Sequence, residues 1–175
     1  MKTNLRILLI SVMCLVLLAD SHLVYGKKVH AKEYKINLPN TMREIQDTFN
    51  NGKMEQFYFD TANDVVLIIS GRVSKFNSVN DYIDCTNQQL EQKLQAAFGD
   101  SSLKLISCAR SKYYPTKAAV VHFSLADDKN GLNTYVVYFI HDKKEDLQIS
   151  FTYEKESEQH SIAYVDGIMQ TFKLK

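Results

Sequence analysis

The stretch from Gly131 to Lys175 constrains the fold more than any other part of the chain. Leu132-Asn-Thr-Tyr-Val-Val-Tyr-Phe-Ile140 is rich in β-branched and aromatic residues, the composition of a strand. His141-Asp-Lys-Lys-Glu-Asp146 is polar and short, so it reads as a tight connection. Leu147-Gln-Ile-Ser-Phe-Thr-Tyr153 then alternates, which places Leu147, Ile149, Phe151 and Tyr153 on one side of a second strand. Beyond it the period changes. Ile162, Val165, Ile168, Met169 and Phe172 recur at steps of three and four, the pattern of a helix with an apolar stripe. That stripe needs a cover, and the sheet face carrying Ile149 and Phe151 is the nearest one.

The other end of the chain reads as an address. Lys2 and Arg6 precede a thirteen-residue apolar run, Ile7 to Ala19, and the chain turns polar before Val24-Tyr25-Gly26. This is the layout of a secretory signal peptide, with cleavage expected after Gly26. Thirteen apolar residues fall short of the roughly 20 that span a bilayer as a helix, so no membrane span is expected once residues 1–26 are removed. Cys14 lies inside the apolar run rather than after it, which argues against a lipid-modified cysteine. Removing 26 of 175 residues leaves 149, the size of one domain, 27–175. The 21 basic residues less Lys2 and Arg6 leave 19, and the 20 acidic residues less Asp20 leave 19. A balanced charge lacks the basic face that displaces counterions from phosphates, so nucleic acid is not an expected partner.

Export would place Cys85 and Cys108 in an oxidising compartment, where a lone pair is a candidate disulfide. Two buried free thiols are the alternative, and the sequence leaves both open because nothing in it sets the Cα separation. Two cysteines without a neighbouring histidine do not make a four-ligand zinc site.

Between the two ends, Lys27 to Glu33 reads as a loose leader and Tyr34 to Leu38 as a short strand stopped by Pro39. Thr41-Met-Arg-Glu44 has capping-box spacing, and Ile45 and Phe49 lie one turn apart, which predicts a short helix ending at Asn50-Asn51-Gly52. Met54 to Asp60 and Val65 to Val73 read as a hairpin about Thr61-Ala-Asn-Asp64. Ser78-Val-Asn-Asp81 opens a helix running to Phe98, with Val79, Ile83, Leu90, Leu94 and Ala97 on one face and Gly99 as its stop. Leu103 to Tyr113 and Ala118 to Leu125 are strand-like, parted by a turn at Tyr114-Pro115-Thr116. The expected fold is a single-domain α+β sandwich, a mostly antiparallel sheet of about six to seven strands covered by two long helices.

This order of elements resembles the Mog1/PsbP-like fold, a group that includes exported proteins and small lipoproteins of bacteria. The features that carry the resemblance are the Tyr34 to Pro39 strand, the Ser78 to Phe98 helix, the Gly131 to Tyr153 hairpin and the Ile162 to Phe172 helix with its Thr171-Phe172-Lys173-Leu174 ending. The resemblance implies a fold with many non-enzymatic members and carries no functional residues across.

Motifs for chemistry are missing: there is no G-x-S-x-G, H-E-x-x-H, C-x-x-C, P-loop or dinucleotide glycine fingerprint, so no catalytic, cofactor or metal residues are assigned. His122 and His141 fall on consecutive strands, but a hairpin pivot near Asp128 and Lys129 sets His122 opposite Tyr135. His141 is then six residues on, roughly 20 Å away at the strand rise. The tyrosines of the strands offer a different reading. Tyr135 and Tyr138 point to opposite sides of one strand, and whichever is exposed is a candidate binding surface. The sequence therefore reads as an exported, non-catalytic binding or interaction module, periplasmic or secreted, with a protein partner in the cell envelope. The alternative is a small-ligand carrier with a pocket between helix and sheet.

Overall fold

The computed structural model describes residues 25–31, 34–50, 53–71, 76–126, 131–142, 146–154 and 158–175. In chain order they form β1 (Tyr25–His30), β2 (Tyr34–Pro39), β3 (Met42–Asn50), β4 (Lys53–Asp60) and β5 (Val65–Gly71), then helices α1 (Asn80–Ile83) and α2 (Asn87–Phe98). Strands β6 (Lys104–Arg110), β7 (Ala118–Ala126), β8 (Leu132–His141) and β9 (Asp146–Glu154) follow, and α3 (Glu158–Thr171) and β10 (Lys173–Leu174) close the chain. Seven strands pair antiparallel in the order β3-β4-β5-β9-β8-β7-β6, and a smaller sheet has the order β1-β2-β10.

Strict alternation along β5, β8 and β9 gives the large sheet two different faces. On the first, Val65, Leu67, Ile69, Val136, Tyr138, Ile149 and Phe151 are buried with Tyr164, Val165, Ile168, Met169 and Phe172 of α3 and with Ile36 and Leu38 of β2. The expected cover of the Ile149 and Phe151 face is therefore present, with the small sheet extending it. Ile162, expected on the stripe, is instead 46% exposed, and buried Tyr164 takes the place beside Val165. The stripe of Tyr164, Val165, Ile168, Met169 and Phe172 keeps the three- and four-residue steps. On the second face a smaller core joins Val79, Tyr82, Leu90, Leu94 and Leu103 to Val121, Phe123, Val137 and Phe139. Among the described residues the sandwich thus has a seven-stranded sheet and three helices, of which two, of 12 and 14 residues, are long.

Three local expectations are corrected. Residues 41–50 are not a helix: Met42–Asn50 pairs along the whole of β4 from Met42 with Asp60 to Asn50 with Lys53. A nine-residue helix is marginal alone, whereas a strand beside β4 gains a ladder of backbone hydrogen bonds. Pairing of Asn50 with Lys53 leaves only Asn51-Gly52 between the strands, and Asn-Gly is the strongest two-residue hairpin signal. The leader is not loose either, because Lys27–His30 pairs with Lys35–Leu38 of β2. Finally, the helix expected from Ser78 breaks after Ile83 and restarts at a second capping box, Thr86 with Gln89. Gly99 does stop it, in the left-handed conformation at φ 70°.

Candidate functional site, a trough between helix and sheet

Helix α2 covers the second face unevenly. Leu90 and Leu94 pack over β7 and β8, and the helix is tied to its β6 side by Glu91 Oε2, which accepts from Leu105 N at 2.8 Å, and by Gln95 Nε2, which donates to Leu103 O at 3.0 Å. On the other side of the helix stand the short side chains of Ala96 and Ala97. The sheet continues there through β9 and β5, and the space between is a cavity of about 350 Å³. Phe76, which precedes the first helix, and Leu94, Ala97 and Phe98 of α2 form its roof, and Ile68, Tyr135, Val137 and Phe139 its apolar floor. The remaining lining residues are Ser70, Gln148, Ser150 and Thr152.

Register explains why those four polar residues meet. Ser70 of β5 pairs with Gln148 of β9, Ser150 lies between Ile68 and Val137, and Thr152 lies between Val66 and Tyr135. In sequence Gln148, Ser150 and Thr152 are the polar positions of an alternating strand, ordinarily its solvent side. Here the roof of Phe76 and α2 leaves Ser70 and Ser150 only 6% and 7% exposed. Gln148 Nε2 donates to Ser150 Oγ at 3.1 Å. Two aromatic stacks hold the walls. Tyr82 lies between Phe76, at 4.1 Å between ring centroids, and Phe139, at 4.8 Å, while Phe123 stacks on Tyr135 at 5.1 Å and meets Phe98 at 5.2 Å.

The residues singled out from the sequence fall as follows. Tyr135 is half-buried and lines the trough. Tyr138 is on the first face, 7% exposed, edge-on to Phe151, and burial together with Asp166 and Tyr113 pushes its hydroxyl pKa up. Only Tyr135 thus stands at an opening. Cys85 and Cys108 are free and half-buried at the margin of the second core. Burial, and then the neighbouring Cys85, push the Cys108 thiol up to about 11. Lys93 Nζ donates to Cys85 Sγ at 3.1 Å.

The histidines part company for a reason that the sequence reading placed one residue out. His122 pairs with Val136, not Tyr135, and a shift of one residue moves a side chain to the other face. His122 therefore lies on the first face, with Nε2 3.3 Å from the Tyr153 hydroxyl, and His141 lies on the second, beside Tyr82. Among the described residues no three His, Cys, Asp or Glu side chains gather where they could hold a metal ion.

Two polar centres that sequence reasoning missed fasten the first face. Asp60 is fully buried at the β4–β5 turn, and its carboxylate accepts from Tyr164, from Thr41 Oγ1 at 2.5 Å, from Asn63 Nδ2 at 2.9 Å and from Ala62 N at 2.9 Å. Burial by itself raises the Asp60 pKa, but the bonds from Thr41, Tyr164, Asn63 and Ala62 outweigh it and hold the carboxyl below its ordinary value. Burial and the bond to Asp60 push Tyr164 up. The second centre is Asp166, which accepts from Tyr113 at 2.7 Å and pairs with Lys112 at 2.6 Å, while Tyr114 donates to Phe172 O at 2.7 Å. Tyr113 and Tyr114 lie past the end of β6 and anchor α3 and Phe172 after it to the sheet. Both centres are structural fasteners.

The sequence matches no protein-family model and no curated protein. Solved structures do match. The solution structure of cyanobacterial PsbP (CyanoP) from Synechocystis sp. PCC 6803 is 12% identical with a TM-score of 0.61, over 90% of this chain and 96% of that one. The crystal structure of the Ran-binding protein Mog1p from Saccharomyces cerevisiae is 10% identical with a TM-score of 0.56, over 86% of this chain and 96% of the other. At such identities a likeness speaks for the fold alone: the chain has the Mog1/PsbP-like fold.

Proposed function

We propose that the protein is an exported, non-catalytic binding module and that it binds through the trough beneath α2. The observation that carries this reading is the uneven roof: α2 covers β7 and β8 and leaves a 350 Å³ cavity over β5 and β9. Among the described residues its lining offers hydroxyls, one amide and apolar and aromatic surface, with no carboxylate, imidazole, thiol or amine. Such a set recognises a molecule by contact and hydrogen bonding and has no group suited to moving a proton at neutral pH.

Export rests on Lys2, Arg6 and the Ile7 to Ala19 run. A cut after Gly26 suits the fold, since β1 changes register between Tyr25 and Lys27 and the regular pairing from Lys27 to His30 is kept. A periplasmic or secreted setting follows from that signal. Two kinds of partner fit a binding module. Mog1p, with the same fold, is a Ran-binding protein, which supports a protein partner by analogy of fold. The cavity, larger than about 300 Å³ and with polar groups converging on it, favours the small-ligand carrier.

Native mass spectrometry of the protein isolated from its own envelope or medium tests the reading. A non-covalent adduct that is absent from an Ala97→Phe variant, which fills the trough, is the expected result. A protein that carries nothing, retains no partner sensitive to Ala97 or Tyr135, and turns over a substrate under control of His122 or His141 would overturn it.

A further inference from the structure

Resting on that reading, the lining also selects the chemistry of the occupant. We infer that the trough takes a neutral, mostly apolar small molecule that carries a hydroxyl or amide at one end. The apolar part matches the Ile68, Leu94, Val137 and Phe139 surface between the two aromatic stacks. Rings held in stacks lose little freedom when a ligand arrives, so the walls are pre-organised.

The polar end is set by the strip that crosses from β5 to β9. Gln148 Nε2 is engaged by Ser150 Oγ, which leaves Gln148 Oε1 as an acceptor and the Ser150 hydroxyl proton as a donor. The Ser70 and Thr152 hydroxyls face the same space, and among the described residues neither is bonded to another side chain. A ligand group that both donates and accepts satisfies such a strip, and a pure hydrocarbon leaves it dry and unbonded.

The described lining offers a charged ligand no counter-ion: none of the twelve described residues around the cavity has a charged side chain. Asp81 and Lys93 flank a separate hollow of about 290 Å³ with Phe76, Ala96 and Ala97. Lys93 is already directed to the Cys85 sulfur and lies 5.7 Å above the Phe76 ring. A carboxylate or phosphate in the trough would lose its water without gaining a counter-charge.

The test is a fluorescence titration of the full folded domain with N-phenyl-1-naphthylamine, a neutral apolar dye, followed by displacement with 1-decanol, decanoate and decane. Saturable one-to-one binding is expected, with decanol competing at concentrations about tenfold lower than decanoate, the ratio of a single well-made polar preference. Ala97→Phe should weaken dye binding by at least about tenfold through occlusion. Ser150→Val, which keeps the trough open, should erase the advantage of decanol over decane, and so stands as an independent check should the Phe variant misfold. Absence of saturable binding, decanoate competing as well as decanol, or dye binding unchanged in a folded Ala97→Phe protein would each overturn the inference. If the dye fails but a protein partner is still lost from Ala97→Phe, the binding module stands and its ligand is a protein segment.

Discussion

Replacing Asp60 tests whether the buried carboxylate ties the β4–β5 turn to α3 as the geometry implies. In Asp60→Ala the hydroxyl of Tyr164, a residue only 3% exposed, loses the carboxylate it donates to. Thr41 and Ala62 lie at the surface and can turn to solvent, so their bonds are discounted. A hydrogen bond to a charged group contributes about 1.5–3 kcal/mol, and with partial losses at Thr41 and Asn63 the total comes to about 2–4 kcal/mol. Against an overall stability of about 5–15 kcal/mol that is a large fraction. The same residue sets a pH dependence. Its folded pKa lies below the ordinary 3.8, so its contribution is complete above that value and is lost as pH falls through the depressed folded value. Urea unfolding at several pH values between neutral and 3 measures both effects. Asp60→Asn, which cannot ionise, should show a shallower loss of stability toward acid than the parent. A cost below about 1 kcal/mol for Asp60→Ala, or identical acid slopes for parent and Asp60→Asn, would refute the reasoning.

Other outcomes follow from the same structure. Intact mass of the secreted protein should correspond to a chain beginning at Lys27, and a species retaining Met1 or carrying lipid on Cys14 would contradict the export signal. Tyr138→Ala should lower stability by about 3–5 kcal/mol, as large-to-small changes of buried aromatics do, whereas Tyr135→Ala should chiefly weaken ligand binding; thermal melts and dye titration separate the two. Gly99→Ala should cost about 1 kcal/mol in urea unfolding, because φ 70° disfavours a side chain although the space around it is open.

Much of the fold was legible because its signals are local. The β8–β9 hairpin, the α3 stripe from Val165 to Phe172 and the Gly99 stop are each written within a few residues. Misreadings arose where a distant partner decides. Thr41 to Phe49 has the spacing of a capped helix, but β4 takes Met42–Asn50 into the sheet and the Thr41 hydroxyl goes to Asp60 rather than to a helix N-terminus. The break in the second helical segment could have been read, since Thr86-Asn-Gln-Gln89 is itself a capping box. A pocket between helix and sheet was foreseen in general terms, yet its polar floor was not. Ser70 and Gln148 are brought together only by the β5–β9 pairing, and nothing local marks Ser150 as roofed rather than wet. Asp60 was equally hidden, because its donors come from β4–β5, from Thr41 before β3 and from α3.

The measurement that bears most directly on the central claim is amide chemical-shift mapping of the ¹⁵N-labelled domain with N-phenyl-1-naphthylamine. The account predicts that the largest shifts fall on Leu94 to Phe98 of α2, Ile68 to Ser70 of β5 and Gln148 to Thr152 of β9, and that they disappear in Ala97→Phe. Shifts centred instead on α3 and the β1–β2 strands, or no saturable shifts at all, would contradict a binding site beneath α2.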